Sequence, residues 1–125
     1  MQFEKHYTRE QARALLPQIR QWLKKLVRLR ADLDKSEECL RALAAPGHDL
    51  GGEPVNRWVR LLGGIQESLL EFYRREIQIK DLDRGLIDFP AILEGKEVFL
   101  CWEQGEEDIG FWHDLDTGYA GRQRL

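Results

Sequence analysis

The amino-acid sequence predicts an α+β fold: a long antiparallel helical hairpin followed by a small antiparallel β-sheet of two or three strands at the C-terminal end. Three features carry that expectation. Apolar residues recur at alternating spacings of three and four through the first third of the chain, and again after a Gly-rich break, which is the period of two packed helices. Near Ile77 the period switches to two. Beyond it, residues 97–113 read as two β-rich runs around a turn.

The first helix is expected over residues 8–45. Thr8 with Gln11 three positions later forms a capping box at its start. Ala12, Leu15, Ile19, Trp22, Leu26, Leu29, Leu33, Leu40 and Leu43 then form a heptad seam broken only at Ser36. Pro17 lies inside the helix and should kink it, because its ring removes a backbone hydrogen bond. Residues Pro46 to Glu53, PGHDLGGE, form a loop by composition. A second helix follows over residues 54–76, with Val55, Trp58, Leu62, Ile65, Leu69 and Phe72 on one stripe. Gly63 and Gly64 each cost this helix about 1 kcal/mol relative to Ala, so a bend or a close helix contact is expected there.

Helix lengths decide what packs on what. At 1.5 Å per residue the first helix spans about 57 Å and the second about 35 Å. The shorter helix runs out near Trp22, so Ala12, Leu15, Leu16 and Ile19 must pack on the C-terminal third of the chain.

Ile77 to Asp81 alternates as a short strand, although a continued helix end fits the same residues. Asp81–Gly85 and Asp88–Gly95 carry turn residues. Glu97–Glu103 and Asp108–His113 then pair as a hairpin around Gln104–Glu107, in a register that sets Cys101 opposite Gly110 and Leu100 opposite Phe111. Alternation puts Val98, Leu100, Trp102, Ile109, Phe111 and His113 on one face, and Phe99, Cys101, Glu103 and Trp112 on the other. On that reading Cys101 points away from His113.

Composition sets limits on function. The length of 125 residues suits a single domain spanning 1–125, and the hydrophobic and charged fractions, 42% and 33%, are those of a globular chain. No apolar run approaches a bilayer span, and the N-terminus lacks the apolar core of a secretory signal, so a cytoplasmic location and no membrane are expected. Cys39 and Cys101 form no CxxC pair, in keeping with that compartment. Residues 1–45 carry a net charge of +4 and residues 77–125 of −6, so the halves attract one another within a chain or between subunits. A basic exposed helix face is weak support for nucleic acid, which is disfavoured as a partner.

The chemistry worth testing lies in a repeated D-L-D-x-G, at Asp81–Gly85 and Asp114–Gly118. Should the turns converge, Asp81, Asp83, Asp114 and Asp116 with His113 could hold a divalent metal, Mg, Mn or Zn. The bland reading is that each Asp caps its own turn and each Gly supplies a positive φ. His113 could otherwise act as a general base or as a strand-end histidine bonded to a nearby Asp. Arg84 and Arg122 either clamp a small anionic ligand or neutralise the surrounding acids. Apolar residues off the main seams, namely Leu16, Leu23 and Val27 with Val59, Leu61, Leu70 and Tyr73, suggest a homodimer through the helices.

The segments YTREQARALLPQIR (7–20), KDLDRGLIDFPA (80–91), VFLCW (98–102) and FWHDLDTGYAGRQ (111–123) resemble the prokaryotic family known as domain of unknown function 2203. That resemblance covers essentially the whole chain and implies no activity. Where the family pattern has a small residue before the Ile77 segment, this chain has Glu76, which leaves the end of the second helix open. Two functions are thus expected: a metal or small-anion site, catalytic or not, or a scaffold acting through a dimerising hairpin.

Overall fold

The computed structural model describes residues 1–44 and 52–125, so most of the loop expected over Pro46 to Glu53 lies outside the described residues. The described residues contain two helices, α1 (Arg9–Ala44) and α2 (Glu53–Tyr73), followed by β1 (Gln78–Asp81), β2 (Leu86–Leu93), β3 (Lys96–Glu103), β4 (Phe111–Asp114), a 3-10 turn (Tyr119–Gly121) and β5 (Gln123–Arg124). Their strands form one five-stranded antiparallel meander in sequence order, so the α+β class holds while the sheet has five strands rather than two or three. Contacts group the chain into two compact units, Met1–Leu23 with Glu71–Leu125, and Lys24–Leu70.

Within the helical unit, α1 and α2 run antiparallel. Trp58 Nε1 donates to Glu37 Oε2 at 3.3 Å, and a Cβ on Gly64 would lie 3.5 Å from Leu29 Cδ1. Gly64 therefore lets the helices approach closely, whereas a Cβ on Gly63 would meet nothing within 4 Å. Only Gly64 carries out the expected role.

The other unit begins with the capping box, Thr8 N–H to Gln11 Oε1 at 2.9 Å and Gln11 N–H to Thr8 Oγ1 at 3.1 Å. The buried stripe of α1 is Ala12, Leu16, Ile19, Leu23 and Leu26. Leu16 and Leu23, expected to be spare surface for a dimer, are thus core residues, a correction of one helical position to the expected seam. Trp22 meets Phe72 edge-on at 5.5 Å, near the end of α2, and Arg20 stacks over Trp102 of β3 at 5.5 Å. The first turns of α1 accordingly pack on the sheet, as the helix lengths require. Arg13 clamps Asp108 with two hydrogen bonds of 2.7 and 2.6 Å, tying the start of α1 to the loop before β4.

Helix α2 stops at Tyr73, three residues before the expected end, because Glu76 adopts φ 58 and breaks the helical run. Its carboxylate accepts the backbone N–H groups of Glu4 and Lys5, both at 2.9 Å. The N-terminal segment is fixed further by Glu97, which accepts from Gln2 N at 2.8 Å, Phe3 N at 3.0 Å and His6 Nε2 at 2.7 Å.

Strand β2 corrects the reading of 88–95 as turn residues. Asp88 and Pro90 lie inside it, and only Glu94 and Gly95, at φ 51 and 79, turn the chain into β3 as a two-residue type I′ hairpin. Pro90 is tolerated because β1 pairs only with Leu86–Asp88, leaving the Pro90 backbone facing an edge where its carbonyl accepts Tyr7 N–H at 2.7 Å.

The hairpin of β3 and β4 is real, but its register is one residue from the expected one: Leu100 faces Trp112 and Cys101 faces Phe111. Residues 104–110 form a longer loop in which Trp102 Nε1 donates to the Glu106 carbonyl at 2.9 Å and Ile109 is buried. A one-residue slip moves every side chain of β4 to the opposite face. His113 therefore shares a face with Phe99 and Cys101, and Asp88, paired with Cys101, joins them. No helix among the described residues is long and apolar enough to cross a membrane.

Candidate metal centre

Three adjacent strands bring Asp88, Cys101 and His113 to one point. Each is 1% exposed. Their ligand atoms lie within 4.8 Å of one another, and among the described residues this is the one cluster of His, Cys, Asp or Glu able to hold a metal ion. His113 Nε2 stands 2.9 Å from Asp88 Oδ2, and His113 Nδ1 stands 2.7 Å from the Asp114 carbonyl oxygen. A carbonyl only accepts, so Nδ1 carries the proton and the Nε2 position is free to take one from Asp88 or to meet a cation. Asp88 Oδ1 is buried and accepts no hydrogen bond.

Burial governs the electrostatics of the cluster. Burial raises the Asp88 pKa above the usual carboxylate value, against the pull of His113, Cys101 and Lys80. Burial and the adjacent Asp88 push the Cys101 thiol up to about 12, with Arg122 opposing. His113 Nδ1 is committed to the Asp114 carbonyl and Nε2 to Asp88, so neither ring nitrogen is hydrogen-bonded to the thiol.

Around the trio, Phe99 contacts the His113 ring at 5.6 Å, and Phe3 of the N-terminal segment covers Phe99 edge-on at 5.4 Å. Arg122 lies 3.8 Å over Phe111, the strand partner of Cys101.

Of the five residues expected to ligate a metal, the structure keeps His113 alone in such a cluster. Asp81 closes at the end of the sheet where Leu86 faces Glu103, whereas Asp114 faces Val98 at the other end of β3, about 17 Å away along the strand. The two turns therefore do not bring Asp81 and Asp114 together. Asp81 Oδ1 accepts Arg84 N–H at 3.1 Å, with Gly85 at φ 65, and so caps its own turn. Asp114 pairs with Lys96 at 2.5 Å, and Asp83 and Asp116 are exposed. Arg84 and Arg122 are paired with Glu103 at 2.7 Å and Glu106 at 2.8 Å. Both also stack on Tyr119, at 4.3 and 4.7 Å.

Sequence reasoning missed Asp88 as a site residue and placed His113 on the wrong face, apart from Cys101. The signal for Asp88 was present: a single acid inside the apolar run LIDFPAIL, Leu86 to Leu93, has to find a partner in the core.

Fold and site together define a helical hairpin joined to a five-stranded meander that buries a carboxylate, a thiol and an imidazole. The chain belongs to the family described as uncharacterized conserved protein (DUF2203), which matches it over residues 5–125. No curated protein and no solved structure matches it.

Proposed function

We propose that this protein binds one divalent metal ion, zinc in preference to magnesium or manganese, through Asp88, Cys101 and His113. A single observation carries the reading: three ligand-type side chains from three neighbouring strands converge at 1% exposure, with one carboxylate oxygen left without a partner. Thiolate and imidazole suit zinc, whereas magnesium and manganese prefer oxygen. The trio supplies three protein ligands, and Asp88 Oδ1, which has no hydrogen-bond partner, is the carboxylate oxygen available to the cation. With metal–ligand bonds of about 2.0–2.1 Å, tetrahedral oxygen and nitrogen donors stand about 3.3 Å apart. The 2.9 Å contact between Asp88 and His113 needs to open by only a few tenths of an ångström as the shared proton leaves. The hydrogen bond from His113 Nδ1 to the Asp114 carbonyl is the outer contact that orients a metal-bound histidine. Such a centre would cross-link β2, β3 and β4, with a fourth position left to a ligand from outside the trio.

Elemental analysis of protein purified without a metal-affinity tag tests this. The expected result is one zinc per chain, replaceable by Co(II) with a thiolate-to-cobalt absorption band, and lost in Cys101→Ala and His113→Gln. Absence of stoichiometric metal, together with no shift in melting temperature on adding zinc, manganese or magnesium, would leave the trio as a hydrogen-bonded core cluster and defeat the proposal.

A further inference from the structure

The outward face of α2 repeats the heptad spacing of its inner face. Val59, Gly63, Gln66 and Leu70 fall at steps of four, three and four, which puts them on one stripe of the helix. Val59 is 55% exposed and Leu70 39%, and the space beside Gly63 is open, so none of the described residues covers this stripe. On one flank stand Leu62 and Leu69, the latter also exposed. On the other stand Arg60 and Glu67, seven residues apart and therefore at equivalent heptad positions with opposite charge.

This pattern is complementary to itself about the point midway between Gly64 and Ile65. In an antiparallel pair of α2 helices related by a twofold axis there, Val59 meets Leu70 of the second copy and Gly63 meets Gln66. Leu62 meets Leu69, and Arg60 meets Glu67, each contact occurring twice. Gly63 at the centre lets the two backbones approach closely, which accounts for a helix-weakening glycine whose own chain offers it no contact. Within one chain Arg60 pairs with Glu53 at 2.5 Å, with both side chains more than 60% exposed, so the pair exchanges readily for another partner. Parallel pairing would set Arg60 and Glu67 against the Leu62 and Leu69 flank of the second copy and leave both charges without an opposite partner across the axis.

We infer that the partner of this face is a second copy of the chain, docked antiparallel through α2 in the register that pairs Arg60 with Glu67. The inference is independent of the metal reading, since it uses no residue of the metal cluster.

Sedimentation velocity of the full chain over a concentration series reads it out. A monomer–dimer equilibrium is expected. Arg60→Glu and Glu67→Arg should each weaken it by about tenfold or more, because each sets two like-charge contacts across the axis. The double variant Arg60→Glu/Glu67→Arg restores opposite pairing and should return within about threefold of the parent. Both residues are surface side chains, and circular dichroism verifies that each variant is folded. A chain that stays monomeric at every concentration, a dimer indifferent to the single charge reversals, or a double variant no better than the singles would each overturn the inference.

Discussion

His113 Nε2 and Asp88 Oδ2 meet at 2.9 Å in the centre of the sheet, joining β4 to β2 across β3. Removing one member of such a pair leaves the other unsatisfied in the core, which costs about 1–3 kcal/mol. Asp88→Ala should therefore lower stability by that amount in urea unfolding. Asp88→Asn should lose less, because its amide still donates to Nε2. Equal losses in the two variants would show that side-chain volume rather than the hydrogen bond matters at this position.

Cys39 is exposed and Cys101 is buried. In the native protein a thiol reagent should modify one cysteine rapidly and the second only as the chain unfolds, with both reacting at once in urea. Mass spectrometry locates the label, and rapid modification of Cys101 without denaturant would contradict the burial of the cluster.

Glu97 makes stability depend on acid. Burial alone would raise its pKa, but the hydrogen bonds from His6, Phe3 and Gln2 and the charge of His6 outweigh it and hold the carboxyl at about 2. A pKa below the unfolded value stabilises the fold above the ordinary carboxylate range, and that contribution is lost as pH falls through the folded pKa. Glu97→Gln should accordingly unfold at lower denaturant than the parent at pH 7, with the gap closing between pH 4.5 and about 2. A gap constant across that window would remove Glu97 from the acid response.

Gly85 sits at φ 65, where a Cβ would lie 2.6 Å from Gln104 Cβ. Gly118 has φ 66 with open space around it. Gly118→Ala should cost about 1–3 kcal/mol, because φ 66 with ψ −164 is a backbone region open essentially to Gly. Gly85→Ala adds the collision and should cost clearly more, as read by thermal unfolding. Similar losses would mean that the Gln104 side chain and its loop move aside.

The helices were legible because their evidence is local. Thr8, Gln11 and the three-four spacing need no knowledge of the partner, and the length mismatch at Trp22 correctly sent the start of α1 to the sheet. Strand β2 was hidden because Asp88, Pro90 and Gly95 are turn residues by propensity. Asp88 is accommodated by a histidine 25 positions away, and Pro90 by an edge that needs no donor. The site failed on register. Alternation assigns faces only once the loop length is known, and residues 104–110 spend Asp108 and Ile109 in the loop, shifting β4 by one. His113 was legible as a buried ligand-type residue, while its companions depended on a pairing that no short-range pattern specifies.

At Pro90 the margin of β2 has no amide to offer, and its carbonyl is already held by Tyr7. The outer strand β1 is four residues long, irregular between Ile79 and Asp81, and carries Lys80; the opposite margin, β5, has two residues. A sheet bordered this way is a poor template for main-chain hydrogen bonding from a neighbouring molecule. The fold thereby resists fibrillar growth through its strands.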